Sequence, residues 1–148
     1  MHIGNSDLFY FSTPSRIIDI EGLVPMDALV QTGCCIVGGG PAGMMLGFLL
    51  ARAGVEVLVL EKHADFLRDF RGDTIHPSTL ELMYELGILD DFLSRPHQEL
   101  SEIGAQIDDL QATVADFSHL PTHCKFVGLM PQWDFLNFIA EHGRQYPR

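Results

Sequence analysis

The chain has 148 residues, of which 47% are hydrophobic and 20% are charged, a composition typical of one globular domain rather than of a disordered or fibrous protein. Its net charge of −11 argues against binding to nucleic acid or to an anionic membrane, because both attract basic proteins. No apolar run reaches the ~18 residues that span a bilayer, and the N-terminus lacks a signal-peptide pattern, so we expect a cytoplasmic protein.

Cysteine and histidine spacing indicates neither a disulfide framework nor a metal site. The three cysteines, two of them adjacent, lack CxxC spacing, and such a sparse and odd count is typical of a reducing compartment. His119 and His123 are four residues apart, but Pro121 between them prevents a helix that would align them. We therefore expect no bound metal.

The first half of the chain contains the pattern of a βαβ unit. Residues 1–32 mix aromatic, polar and proline residues without a sustained period, and they are predicted to form an irregular N-terminal extension. The run CCIV, residues 34–37, predicts a short buried strand because its apolar residues follow one another without a polar gap. Residues 41–54 predict a helix with proline in its first turn and glycine just past its end, and residues 55–61 predict a second strand.

The second half predicts a helix and a β-hairpin insertion. HPSTLELMYELGILDDFL, residues 76–93, is predicted to form one helix, at whose start Ser78 and Glu81 have the spacing of a capping box. Alternating apolar residues around DDLQ predict the hairpin insertion at about 102–118. The remaining predictions are a charged loop, a short strand and an amphipathic helix, at residues 62–73, 125–130 and 132–146.

The glycines of the first turn are the strongest functional signal. Gly38, Gly40 and Gly43 form GxGxxG between a predicted strand and helix, as in dinucleotide-binding turns. We expect Gly38 to allow the tight turn, Gly40 to let a pyrophosphate approach the backbone, and Gly43 to let the helix pack on the strand. Pro41 and Ala42 begin the helix, whose N–H groups and dipole favour a phosphate. The alternative is a plain tight turn without a ligand, which would need only one glycine.

Glu61 is the candidate ribose-binding acid. It ends the second predicted strand 18 residues (61 − 43) after Gly43, close to the ~20 residues expected for that acid. A carboxylate there would accept hydrogen bonds from both ribose hydroxyls and would repel a 2′-phosphate, which disfavours NADP in this turn. The alternative is a solvated glutamate at a strand end. The motif predicts a bound adenosine diphosphate group and does not separate FAD from NAD.

Three stretches resemble the N-terminal part of the FAD-dependent aromatic-hydroxylase family, the single-component flavoprotein monooxygenases: CIVGGGPAGMMLGFLLARAGVEVLVLEK, RDFRGDTIHPSTLELMYELGILDDF and MPQWDFLNFIAE. The resemblance implies that residues 33–148 are the N-terminal portion of an FAD-binding domain. It implies contacts to FAD from Arg71 in FRGD and from Gln132 in MPQWDFL, and it includes Lys62 in the cofactor-binding set. From the residues alone, Arg71 is a loop charge and Gln132 a helix cap.

The resemblance also implies an activity. In that family NAD(P)H reduces FAD, and the reduced flavin and O₂ hydroxylate a small, often aromatic substrate. Two further family motifs, an Asp-Gly and a Gly-Asp motif, have no match in this sequence. No catalytic residue is therefore named, because the reaction centre is expected outside this stretch.

The expected fold is α/β: a Rossmann-like FAD-binding βαβ half-domain with a small hairpin insertion, incomplete as a domain. Because a parallel sheet needs both faces covered, we expect it to depend on a missing C-terminal portion or on a dimer partner. Two alternatives to the monooxygenase remain open. One is a non-hydroxylating FAD or NAD oxidoreductase, and the other is a non-catalytic, truncated dinucleotide-binding module.

Overall fold

A computed structural model describes residues 7–10, 32–63 and 73–146. In chain order its elements are β1 (Asp7–Tyr10), β2 (Cys34–Val37), α1 (Pro41–Arg52), β3 (Val57–Glu61), β4 (Thr74–Ile75), α2 (Pro77–Leu86), α3 (Leu89–Leu93), β5 (Gln98–Leu100), β6 (Glu102–Ile107), β7 (Leu110–Asp116), β8 (Val127–Leu129) and α4 (Gln132–Gly143). Helices and strands are mixed throughout, which confirms the predicted α/β class. No helix in these ranges is long and apolar enough to cross a membrane.

The chain divides into two compact units. The first comprises Met1–Arg68 and Trp133–Arg148, and the second comprises Asp69–Gln132. The first unit contains a three-stranded sheet in the order β1–β3–β2. Strands β2 and β3 are parallel and are connected by α1, whereas β1 pairs antiparallel with the other edge of β3. Strand β1 lies in the stretch that the sequence predicts to be irregular. The sequence does not predict this strand because its pairing with a distant strand leaves no local period.

Helix α1 begins at the predicted residue and ends at Arg52, slightly before the predicted end. Pro41 is its first residue, Gly40 is its N-cap, and Gly54 follows its end with φ +81°. Its buried residues are spaced i, i+3, i+4 and i+7, the pattern of one helix face: Met44, Gly47, Phe48 and Ala51. The Phe48 ring lies 6.3 Å from the His142 ring of α4, so α1 and α4 share the core of the first unit.

Strand β2 is less buried than its apolar sequence predicts. Cys35 and Val37 are exposed, Val37 to 84%, whereas Cys34 and Ile36 are half-buried. The prediction of a buried strand is therefore wrong, because one face of β2 is exposed and the other is only half-buried. Burial of both faces requires a layer on each side of a sheet, and a strand's own sequence does not show whether that second layer is present.

The second unit contains two separate sheets. Strands β4, β8 and β5 form an antiparallel sheet with β8 in the centre. Strands β6 and β7 form a hairpin that pairs from Glu102↔Asp116 to Ile107↔Leu110, within the range where the sequence predicts one. The register shifts between Ile103 and Gly104, which marks a β-bulge.

The prediction of a single helix over residues 76–93 is wrong. Helix α2 ends at Leu86, Gly87 adopts the left-handed conformation with φ +73°, and the shorter α3 follows. The N–H groups of Gly87 and Ile88 return to carbonyls of the last turn of α2, as in a glycine C-cap. The predicted capping box is also wrong, because the N-cap is His76 and no side chain caps it.

Candidate functional site

The connection between β2 and α1 consists entirely of Gly38, Gly39 and Gly40. The Gly38 N–H donates a hydrogen bond to the Leu60 carbonyl of β3 at 2.7 Å, which ties the turn to the sheet. Gly38 has φ +114°, a backbone conformation that other residues adopt only with strain. The tight turn expected at this glycine is therefore the observed geometry.

Gly43 lies where α1 meets the turn. A Cβ atom at this position would overlap the carbonyl oxygen of Gly38 and would stand 3.3 Å from Ile36 Cγ2. Only a residue without a side chain allows the helix to pack this closely against the strand–turn connection. The fold itself therefore requires glycine at position 43.

Gly40 differs from Gly43, because a side chain at position 40 would not clash with the described part of the fold. Its φ of −75° and ψ of −178° are accessible to any residue, and a Cβ built on it would meet no atom of residues 7–10, 32–63 or 73–146 within 4 Å. Open space thus lies directly in front of the backbone at the start of α1. None of the described residues fills this space, and a ligand could approach the backbone there.

The N-terminus of α1 is suited to an anion. Its N-cap residue, Gly40, has no side chain to cap it, and its first turn contains no acidic residue. Pro41 has no N–H, while the N–H groups of Ala42 and Gly43 lie in the first turn, where no intrahelical acceptor is available. These two donors and the positive end of the helix dipole favour a phosphate.

Glu61, the last residue of β3, is joined to the glycine turn by a hydrogen bond. Its side chain is buried, with 4% exposure, and Oε2 accepts the Gly39 N–H at 2.7 Å. Its other oxygen, Oε1, accepts the N–H groups of Lys62 at 2.9 Å and His63 at 3.2 Å. The solvated strand-end carboxylate considered as the alternative is therefore not what the structure contains.

Gly39 is the residue of this site that sequence reasoning missed. The GxGxxG pattern does not require glycine at its second position, so the only available signal was the third consecutive glycine in GGG. In the structure, a Cβ at Gly39 would lie 2.9 Å from the Glu61 Cβ and 3.1 Å from Oε2. The buried acid leaves no room for a side chain there.

Lys62, Gln132 and Arg71 are the remaining predicted site residues. Lys62 follows β3 with an exposed side chain, in the same unit as the glycine turn. Gln132 is the first residue of α4, as predicted, and belongs to the second unit. Arg71 lies outside the described residues.

The histidine pair lies in the second unit. His119 Nε2 is 3.3 Å from Asp116 Oδ2, and His123 Nδ1 is 2.9 Å from Glu81 Oε1. Within the ranges that the structure describes, no group of three or more His, Cys, Asp or Glu side chains could hold a metal ion.

Dinucleotides bind to α/β proteins where a glycine turn leads from a strand into a helix N-terminus. The geometry of the first unit therefore defines a nucleotide-binding α/β protein. Comparison with known families narrows this class, because residues 31–147 match the family described as FAD binding domain. The chain belongs to that family, and FAD is its cofactor.

Several known proteins are similar to this chain over most of its length. An uncharacterized aromatic compound monooxygenase of Bacillus subtilis is 38% identical over 74% of the chain and 21% of that relative. The 6-methylpretetramide 4-monooxygenase of Streptomyces rimosus is 31% identical over 80% of the chain and 28% of that relative. The crystal structure of p-nitrophenol 4-monooxygenase from Pseudomonas putida matches with a TM-score of 0.67 and 29% identity, over 78% of the chain and 30% of that structure. The chain thus spans less than a third of the length of these relatives.

Proposed function

We propose that this chain supplies the ADP-binding portion of an FAD-dependent monooxygenase, arranged as a Rossmann-like half-domain. The observation that carries the cofactor assignment is the contrast between Gly40 and Gly43. Packing inside the protein explains glycine at position 43, whereas no contact among the residues that the structure describes explains it at position 40. A pyrophosphate lying against the backbone would explain it, and the uncapped start of α1 offers that group donors.

The residues present fit the ADP half of FAD. Gly40, Ala42 and Gly43 would hold the pyrophosphate, and Glu61 would accept a hydrogen bond from the adenosine ribose. Lys62, Arg71 and Gln132 complete the proposed set on the strength of the family resemblance. Bound FAD would supply redox chemistry, to which these residues contribute binding and orientation of the cofactor.

The names of the relatives support a monooxygenase that acts on an aromatic substrate. That this substrate is small and that NAD(P)H is the reductant are proposed from the family resemblance. Because the chain spans 21% of the Bacillus subtilis relative, we assign the substrate pocket and the reaction centre to sequence beyond the shared portion, in a longer polypeptide or in a partner. The net charge of −11 supports a protein whose partners include neither nucleic acid nor an anionic membrane. The sparse, odd cysteine count supports a cytoplasmic location.

The cofactor part of this proposal is tested by mixing the purified chain with FAD, desalting it and recording its visible absorption. We expect flavin absorbance to remain with the protein, and a competing excess of ADP to remove it. Loss of all flavin on desalting would contradict the proposal that this chain holds FAD.

The reaction is tested in a chimera, in which residues 33–146 replace the matching N-terminal portion of the p-nitrophenol 4-monooxygenase. Oxygen uptake that depends on both p-nitrophenol and a reduced nicotinamide cofactor would support the monooxygenase assignment. A folded chimera that retains FAD but consumes no oxygen under these conditions would favour the non-catalytic binding module. Uptake of oxygen without hydroxylated product would favour the non-hydroxylating oxidoreductase.

A further inference from the structure

We infer that Glu61 is a positioning residue for the glycine turn, in addition to its proposed contact with the ribose. Its carboxylate binds the Gly39 amide and thereby fixes the turn before any nucleotide arrives. The inference rests on the proposed function only where it concerns nucleotide affinity. The contact between the two residues belongs to the protein alone.

Burial and hydrogen bonding both support this role. In the part of the chain that the structure describes, Glu61 is the one charged residue in the buried class, with 4% exposure. A buried carboxylate is costly unless donors surround it, and here backbone N–H groups approach from two sides. Gly39 donates to Oε2 from the turn, and Lys62 donates to Oε1 from the chain that follows β3. The carboxylate therefore links two segments that are 22 residues apart in sequence.

These donors explain why the residue is an acid. Both oxygens of a carboxylate accept hydrogen bonds, whereas glutamine has one accepting oxygen and one NH₂ group. In a Glu61→Gln variant the NH₂ group would face a backbone N–H on one side or the other, and one buried donor would lose its partner. If Glu61 contacted only the ribose, the Glu61→Gln substitution would not affect the glycine turn in the absence of ligand.

The contact also determines which amides remain for a phosphate. Because the Gly39 N–H is donated to Glu61, it is not left for a phosphate, while the N–H groups of Ala42 and Gly43 lie in the first turn of α1. Glu61 thus holds the turn in the conformation that leaves the backbone of Gly40 open. Preorganisation of this kind raises affinity because the turn is already ordered when the ligand binds.

The first test is amide hydrogen exchange of Gly39, measured by NMR on the full chain without nucleotide. We expect the Gly39 amide to be protected in the wild type and to exchange at least about tenfold faster in Glu61→Gln. Glu56→Gln is the matched control, because Glu56 is an exposed glutamate of the same unit and its substitution should leave the turn unchanged. An unprotected Gly39 amide in the wild type overturns the inference, whether or not the variant folds.

The second test separates positioning from ribose contact. Titration calorimetry compares ADP with 2′,3′-dideoxy-ADP, which lacks both ribose hydroxyls, on the wild type and on Glu61→Gln. A positioning role weakens the binding of both nucleotides, by about tenfold or more for the dideoxy compound. A contact limited to the ribose weakens ADP alone and overturns the inference. If the wild type binds neither nucleotide, the proposed function fails, and the Gly39 exchange rate still decides the positioning role.

Discussion

Gly43 packs so closely against Gly38 that a methyl group at residue 43 would overlap the carbonyl oxygen of residue 38. The same methyl group would stand 3.1 Å from the Gly38 carbonyl carbon and 3.3 Å from Ile36 Cγ2. Two of these obstacles are backbone atoms, which cannot rotate away as a flexible side chain would. The first turn of α1 is therefore held against β2 by an approach that only glycine permits.

Replacement of Gly43 by alanine is expected to destabilise the fold by about 1–3 kcal/mol, the cost of forcing an extra carbon into a packed site. Urea denaturation followed by circular dichroism measures the change. Gly104→Ala is the control, because its Cβ would lie 3.9 Å from the nearest atom, the Ala112 carbonyl oxygen, which is an ordinary contact. Equal stability of Gly43→Ala and the wild type would show that α1 does not approach the turn this closely.

Gly40→Ala should separate cofactor binding from stability. Its methyl group would enter open space, so the free energy of unfolding should change by less than about 1 kcal/mol, because a weaker N-cap and a less flexible unfolded chain offset each other. The same methyl group would stand where the pyrophosphate is proposed to lie, and FAD affinity should fall at least about tenfold. Flavin fluorescence titration measures that affinity. Unchanged FAD binding by a folded Gly40→Ala variant would contradict the proposed phosphate position.

The sequence alone predicts those helices whose ends and buried faces are determined by neighbouring residues. Proline at the start of α1 and glycine after its end define that helix, and the apolar spacing of residues 132–146 predicts α4. The glycine turn was found for the same reason, because each glycine of GxGxxG meets a requirement of the adjoining strand or helix.

Contacts between distant residues account for what the sequence did not predict. Glu81 has capping-box spacing, yet its carboxylate binds His123, which is 42 residues away. Gly39 owes its role to Glu61, which no local pattern connects with it. The exposure of Val37 likewise depends on what lies over the sheet and not on the four residues of its strand.

The Glu81–His123 contact should make the second unit sensitive to acid. The His123 backbone N–H and its ring Nδ1 lie 2.8 Å and 2.9 Å from the Glu81 carboxylate oxygens, and they hold the pKa of this carboxyl below its ordinary value of 4.5. A carboxyl group whose pKa is lowered by folding stabilises the native state above its unfolded pKa, and this contribution is lost as pH falls through the native pKa. At pH values below about 4.5 the melting temperature should therefore decrease, in part because Glu81 becomes protonated.

Thermal unfolding at several values between about pH 7 and pH 3 tests this expectation. Glu81→Gln should melt at a lower temperature than the wild type at neutral pH, and the difference should shrink as the pH falls below the ordinary carboxyl range. Glu85→Gln, an exposed glutamate of the same helix, is the control. A constant difference between Glu81→Gln and the wild type across this range would mean that the carboxylate charge does not contribute.

Cys35 and Cys124 should differ in their reactivity toward an alkylating agent. Cys124 is buried, with 6% exposure, and burial, together with the charges of Glu99 and Glu81, raises the pKa of its thiol. Cys35 is exposed on the open face of β2. Because the thiolate is the reactive form, iodoacetamide at about pH 8 should modify Cys35 at least about tenfold faster than Cys124.

Peptide mass spectrometry over time measures both rates of cysteine modification, and in concentrated urea the difference between them should disappear. Equal rates in native buffer would show that the loop carrying Cys124 opens to solvent, or that the open face of β2 is covered.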